Sequence, residues 1–174
     1  MSIVRPTITA TALRDIGLFG GIADESLERL ASELPEVRAE SGKVVVTEGE
    51  LSTEMFVVIG GELEVTKRAI DGSTVRVAML GPGDWFGEMA ILDVQPRSAS
   101  VRALAPSILL SMSADQVERL LYRVAPKDYS LLIMNIAREL SRRLRVADGI
   151  LAQFFVAMHE QYAKGPSAKG PGAK

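Results

Sequence analysis

The sequence predicts a mainly β domain with flanking helices, and three observations carry that reading. Short β-rich segments punctuated by Gly or Pro run from Val37 to Met112. Asp71-Gly72 falls between two of these segments and is a hairpin signal, because Gly tolerates the positive φ that a tight turn demands. After Pro126 the pattern changes to apolar residues at alternating steps of three and four, the mark of one long amphipathic helix.

At the N-terminal side, Leu13 to Leu34 reads as helical. Leu27, Leu30, Ala31 and Leu34 recur at helical spacing, and Asp24 stands as an N-cap before Glu25. Strands are expected at Lys43–Thr47, Met55–Ile59, Glu62–Arg68, Val75–Leu80, Ala99–Leu104 and Ile108–Met112. Breaks lie at Ser41-Gly42, Gly49, Gly60-Gly61, Asp71-Gly72, Gly81-Pro82-Gly83 and Pro106. Regular short strands at this spacing fit a sandwich, a jelly roll or a barrel.

Ser113 is placed to cap a helix over Ala114–Arg123, and Pro126 to open the long helix at its first position. Along that helix Ile133, Ile136, Leu140, Leu144, Ala147, Leu151, Phe154 and Met158 form one stripe. Such a stripe has to be covered, in part by the β-domain and for the rest by the same helix of a second copy, so a homodimer is expected. Gly149 weakens the helix locally, by roughly 1 kcal/mol relative to Ala. The stretch 163–174, rich in Gly, Pro, Ala and Lys, reads as a disordered low-complexity tail.

The totals narrow the function. A chain of 174 residues is enough for one domain with a core, and 47% hydrophobic and 24% charged residues are ordinary for a globular protein. A net charge of -2 argues against a surface given over to nucleic acid. With no Cys there is no disulfide, thiolate-bound zinc or thiol catalysis. The first residues lack the apolar run of a signal peptide, and no stretch reaches the ~18 apolar residues of a membrane span, so a soluble, cytoplasmic protein is expected. His159 is the only His and has no acid or second His at ligand spacing, which leaves metal binding and general-base duty without support.

The informative run is Phe86-Gly-Glu-Met-Ala-Ile-Leu-Asp-Val-Gln-Pro-Arg-Ser-Ala-Ser-Val101. Gly87 opens a short helical turn, which is expected to leave the amides of Met89, Ala90 and Ile91 as a small anion site. Ala90 is small enough to let a ligand reach the backbone. Arg97 follows Pro96 and offers two parallel donors suited to a phosphate, and Ser98 adds a hydroxyl. Glu88 would repel a phosphate, so a sugar hydroxyl is its better partner. These pieces point to a phosphate and a ribose together.

The run Phe-Gly-Glu-Met-Ala…Pro-Arg-Ser-Ala resembles the phosphate-binding cassette of cyclic-nucleotide-binding domains. That family includes the bacterial catabolite activator protein, protein-kinase regulatory subunits and nucleotide-gated channels. The likeness covers about residues 13 to 155. It takes in Leu18-Phe19, Val46-Thr47-Glu48-Gly49-Glu50, Met55-Phe56-Val57-Val58-Ile59, Gly61-Glu62-Leu63 and Gly81-Pro82-Gly83-Asp84. It implies a double-stranded β-helix jelly roll (a β-roll) with N-terminal helices and a long C-terminal dimerisation and lid helix. Residues 1–125 would be the helical lead-in and β-roll, 126–162 the lid and dimerisation helix, and 163–174 the tail.

By the same resemblance Arg97 and the Ala90 amide hold the cyclic phosphate, Ser98 and the adjoining Ala99 belong to the same stretch, and Gly87 and Glu88 take the ribose 2′-hydroxyl. Val77, Phe86 and Met89 would line the apolar part of the pocket. Leu140-Ser-Arg-Arg-Leu-Arg-Val146 is similar to the activator's dimer helix, which puts Arg143 near the phosphate and Ala147 and Asp148 near the base. Activators usually carry small hydroxyl residues at those last two positions, so base preference is open between cAMP and cGMP. Among Arg138, Arg142, Arg143 and Arg145, all but Arg143 read as a solvated helix face.

The expected function is a non-catalytic sensor that passes a conformational change to an unknown downstream protein. A cupin-type enzyme would need clustered His ligands, which one His cannot supply. The alternatives are an interaction module with a vestigial pocket, or the sensor fragment of a longer transcription regulator or channel. A winged helix-turn-helix needs on the order of 60 further residues, which do not follow Met158, so no direct DNA binding is expected.

Overall fold

A computed structural model describes residues 8–93 and 95–163. The chain divides into two compact units, Met1–Ile136 and Ala137–Lys174. Of the expected tail, Ala163 belongs to the last helix and residues 164–174 lie outside the described residues.

Among the described residues the first unit holds eight strands: β1 (Glu36–Ala39), β2 (Val44–Val46), β3 (Glu54–Gly60), β4 (Leu63–Arg68), β5 (Thr74–Leu80), β6 (Trp85–Phe86), β7 (Ser100–Ala103) and β8 (Ser107–Ser113). They form two four-stranded sheets with the orders β1-β8-β3-β6 and β2-β7-β4-β5, and every pairing is antiparallel. This is the expected jelly roll: apart from the β4–β5 hairpin, consecutive strands alternate between the two sheets, and the inner faces meet as one core. Val46, Phe56, Val58, Leu63, Phe86, Val101, Ala103 and Leu109 make up most of that core. Two strands have no counterpart among the six expected from the sequence. β1 is short and half-buried, and β6 has only two residues, too few to show an alternation.

Turns follow the glycines. Gly72 has φ +83° between β4 and β5, where the Asp71 carboxylate accepts from the amide and hydroxyl of Ser73. Those two bonds hold the Asp71 carboxyl below its ordinary range. Gly61 has φ +99°, and a Cβ there would overlap the Cα and Cβ of Ser107 at 2.6 Å.

The N-terminal helical stretch is broken into α1 (Ala10–Arg14), a 3-10 turn (Gly17–Phe19) and α2 (Asp24–Glu33). Gly20 and Gly21 (φ +81°) interrupt it, a cost of Gly that the regular spacing of leucines conceals. Asp24 is the first helical residue rather than the cap. The N-cap is Ala23, which makes no side-chain capping bond, and Asp24 instead pairs with Arg14 at 2.6 Å. A distant residue takes over part of that role. The buried carboxylate of Asp128 accepts from the Ser26 hydroxyl at 2.6 Å and from the Ala23 amide at 3.4 Å.

Ser113 caps α4 (Ala114–Val117) in a reciprocal box with Gln116, as its spacing implies. The helix then widens into a π turn over Glu118–Tyr122 instead of continuing as α-helix to Arg123. Pro126 opens α5 (Pro126–Ala163). Within the first unit, α5 buries Leu132 and Ile136, and the Asn135 amide donates to the carbonyls of Leu18 and Gly20, both at 3.0 Å. In the second unit the helix continues, with Leu144, Ile150, Leu151, Phe154 and Phe155 all more than half exposed.

Replacing Gly61 by Ala places a side chain in a left-handed backbone and against Ser107. Urea denaturation is expected to show a loss of about 2 kcal/mol or more, whereas Gly72→Ala, with open space around it, is expected to lose only the backbone part of that amount.

Candidate functional site

The site is built around one buried cation. Arg97 lies just before β7 and is 8% exposed, yet among the described residues it forms no ion pair. One terminal nitrogen, Nη2, donates to the Ser52 hydroxyl and to the Glu54 carbonyl, both at 2.6 Å. The buried Nε has no hydrogen-bond partner. Burial pushes the guanidinium below its ordinary pKa, and the fields of Glu54, Glu88 and Glu50 work against that shift.

The local sequence sets this geometry. The Arg97 backbone is held on both sides by the turn after β2: its amide donates to the Glu50 carbonyl at 2.8 Å, and its carbonyl accepts from the Gly49 amide at 2.9 Å. Leu51 and Pro96 continue the pairing as an isolated bridge. Gly87, with φ +78°, sits directly against the guanidinium. A Cβ there would collide with Nη1 of Arg97 and come within 3.0 Å of the Glu54 carbonyl. Gly87 is therefore needed twice, for its backbone conformation and for the space it leaves.

After Gly87 comes the single turn α3 (Met89–Leu92). Glu88 precedes it and is 5% exposed, a carboxylate buried within the same short stretch as Arg97. The amides of Ala90 and Ile91, expected to be unpartnered, donate to the carbonyls of Gly87 and Glu88 at 3.0 and 3.1 Å. Three-residue bonds tighten the turn and engage donors that a regular α-helix would leave over. Ala90 is buried, Ser98 is exposed and Ala99 is half-buried.

The apolar residues divide. Val77 on β5 is 54% exposed and Met89 is 50% exposed, so both present apolar surface. Phe86 instead stacks on Phe56 inside the β-roll, with ring centroids 5.2 Å apart, and is buried. In the second unit Arg143 donates to Glu139 at 2.9 Å, and Arg142 pairs with the same carboxylate. The bond from Arg142, with that from Arg143, holds the Glu139 carboxyl below its ordinary range against the opposing effect of burial. Asp148 lies on the same helix and is exposed.

Ser52, Glu54 and the Gly49-Glu50 turn were not singled out from the sequence as site residues. Their contributions are a hydroxyl and backbone atoms, and backbone groups leave no residue-type signal. Among the described residues no group of three His, Cys, Asp or Glu could hold a metal ion, and no helix is long and apolar enough to cross a membrane.

The chain is thus a jelly-roll domain that buries an arginine without an ion pair among the described residues, beside a glycine-opened turn and a buried acid. Comparison with known proteins gives the family. Residues 36–123 match the model of the cyclic nucleotide-binding domain, and the chain belongs to that family. It is 29% identical over 136 residues to the CRP-like cAMP-activated global transcriptional regulator of Mycobacterium tuberculosis, covering 78% of this chain. It is 33% identical over 131 residues to the cyclic AMP receptor protein of Thermus thermophilus, covering 75% of this chain. The chain spans 58% of the length of each of these relatives. Among solved structures, it resembles a cyclic nucleotide-binding domain from Methylobacillus flagellatus with a TM-score of 0.72 and 28% identity, over 83% of this chain and 81% of that one.

Substituting Gly87 by Ala should displace the guanidinium it touches. The expected result is a loss of about 1–3 kcal/mol in chemical denaturation, together with a shifted Nε–H resonance for Arg97.

Proposed function

We infer that this chain is a non-catalytic cyclic-nucleotide sensor whose ligand is cAMP, with cGMP as the rival. The observation that carries the reading is the buried Arg97 with its unpartnered Nε. A desolvated cation with an idle donor gains most from an anion brought by a ligand, and a cyclic phosphate supplies one. Arg97 then grips the phosphate, with the Ala90 backbone, Ser98 and Ala99 beside it. Gly87 and Glu88 take the ribose. Val77 and Met89 offer apolar surface to the base, and Phe86 backs the pocket from the core. The names of the Mycobacterium and Thermus relatives, which carry cAMP, support that nucleotide.

The long helix is the lid. Arg143 is exchangeable between Glu139 and the phosphate, and Asp148 is the candidate reader of the base. Ionised, it accepts one bond from the adenine amino group or two from the adjacent donors of guanine. Closure of the helix biases two states, and a downstream protein reads the shift. Residues 1–125 form the sensor roll and 126–162 the lid and dimer helix, in a cytoplasmic homodimer. The exposed Leu144, Leu151 and Phe154 support the dimer, since a stripe of that length left in water is unfavourable.

Calorimetric titration of cAMP and cGMP into the chain tests the sensor reading. Arg97→Ala should cost about 2–5 kcal/mol, more than roughly twentyfold in affinity, without unfolding the domain. Asp148→Ala should change the ratio of the two affinities. Affinity retained by Arg97→Ala would remove the phosphate role, and an unchanged ratio would remove Asp148 as base reader. Light scattering should return twice the 18.8 kDa chain mass, and Leu151→Glu should return the monomer.

A further inference from the structure

The jelly roll contains a cavity that the nucleotide reading does not use. It has a volume of about 400 Å³, within the roughly 300–1,000 Å³ usual for small-molecule sites. It opens where the two sheets end in β1 and β2, the edge strands opposite β6 and β5. Val37 and Ala39 wall it from one sheet, Val44 and Val45 from the other, and Phe56 closes its inner side.

The cavity's polar groups are few and placed together. Glu54 and Ser111 both line it, and the Ser111 hydroxyl donates to Oε1 of Glu54 at 3.1 Å. The second carboxylate oxygen, Oε2, forms no hydrogen bond among the described residues. Ser111 is 1% exposed, so its remaining lone pairs face the cavity or nothing. No cation forms a hydrogen bond with this carboxylate among the described residues: Arg97 feels its field but bonds Glu54 only at the carbonyl. Of the two cations that line the cavity, Arg38 is paired with Glu36 at 2.7 Å, while Lys43 is exposed and forms no ion pair among the described residues. Apolar walls around an acceptor pair of one carboxylate and one hydroxyl match an apolar molecule with a positively charged, multiply donating head.

We propose that this cavity binds a small primary amine with a branched or aromatic apolar body, its ammonium donating to Glu54 and Ser111. An anion of the same shape is disfavoured by the Glu54 charge, and a hydrocarbon leaves the carboxylate without its bond. The site is distinct from the phosphate site, yet one residue belongs to both. The Glu54 side chain faces the cavity, while its carbonyl accepts from Arg97.

The test uses isoamylamine as the probe, isocaproate as its acidic counterpart of similar body, and the full chain followed by NMR. Isoamylamine at millimolar concentration should give saturable shifts at Val37, Val45 and Phe56. Glu54→Gln should weaken it about tenfold, the loss of one charge-assisted bond. Isocaproate should give no saturable shift, and saturating cAMP should not displace the amine. Val45→Trp, which fills the cavity, should abolish the shifts. Equal binding of isocaproate, undiminished binding to Glu54→Gln, or displacement of the amine by cAMP would each overturn the proposal. If cAMP fails to bind while the amine saturates, the sensor reading fails and this one stands.

Discussion

Taking the Arg97 guanidinium out of water without a carboxylate to pair it sets the terms for everything around the cassette. An isolated buried charge is costly, and the protein offsets that cost only in part. Nη2 has the Ser52 hydroxyl and the Glu54 carbonyl, the backbone is fixed by the Gly49-Glu50 turn, and Nε has nothing. The charges of Glu54, Glu88 and Glu50 favour the cation by their fields. A salt bridge would have stabilised the cation more and left it less to offer an incoming anion. On the proposed reading, this incomplete satisfaction is what lets the cation take up a ligand's anion.

The topology explains how residues so far apart in sequence meet there. The stretch between β2 and β3 brings Gly49, Glu50 and Ser52, the start of β3 brings the Glu54 carbonyl, and the link from β6 to β7 carries Gly87 through Arg97. In a jelly roll these strands alternate between the two sheets, so their connections cross the same region of the roll. The Leu51–Pro96 bridge and the paired bonds of Arg97 with Gly49 and Glu50 join two of those connections directly. Gly87 completes the arrangement, because a side chain there would occupy the guanidinium's place.

What could be read from the sequence depended on whether a feature lives in side chains or in backbone. The six expected strands follow β-rich runs and Gly or Pro breaks, and the capping box at Ser113 and the start of α5 at Pro126 follow residue type. β6 escapes because two residues have no period. The Asp24 cap fails because Asp128, more than a hundred positions away, supplies the carboxylate at that helix start, and no local pattern announces a distant cap. Gly87, Glu88 and Arg97 were legible as a set, since few structures demand that combination at that spacing. Ser52 and Glu54 were not, because Ser is common in any turn and Glu54 acts on Arg97 through its carbonyl. The amides of Ala90 and Ile91 show the opposite error. A helix start was read correctly, but its donors close onto Gly87 and Glu88 in a tighter turn.

The same distinction between held and unheld groups runs along α5. Its first turns are anchored by Asp128 on Ser26, by Asn135 on the Leu18 and Gly20 carbonyls, and by the buried Leu132 and Ile136. Beyond Ala137 its side chains form local bonds within the helix, such as those of Arg142 and Arg143 to Glu139, while large apolar residues including Leu144, Ile150 and Phe154 are exposed. Local i,i+3 and i,i+4 pairs stabilise a helix by only a few tenths of a kcal/mol each. They keep the segment helical without fixing what it packs against. The exposed apolar residues beyond Ala137 therefore have no partner supplied by those local pairs. On the sensor reading proposed above, a ligand shifts two packings of this helix only by its difference in affinity for them, and a partner reads that shift.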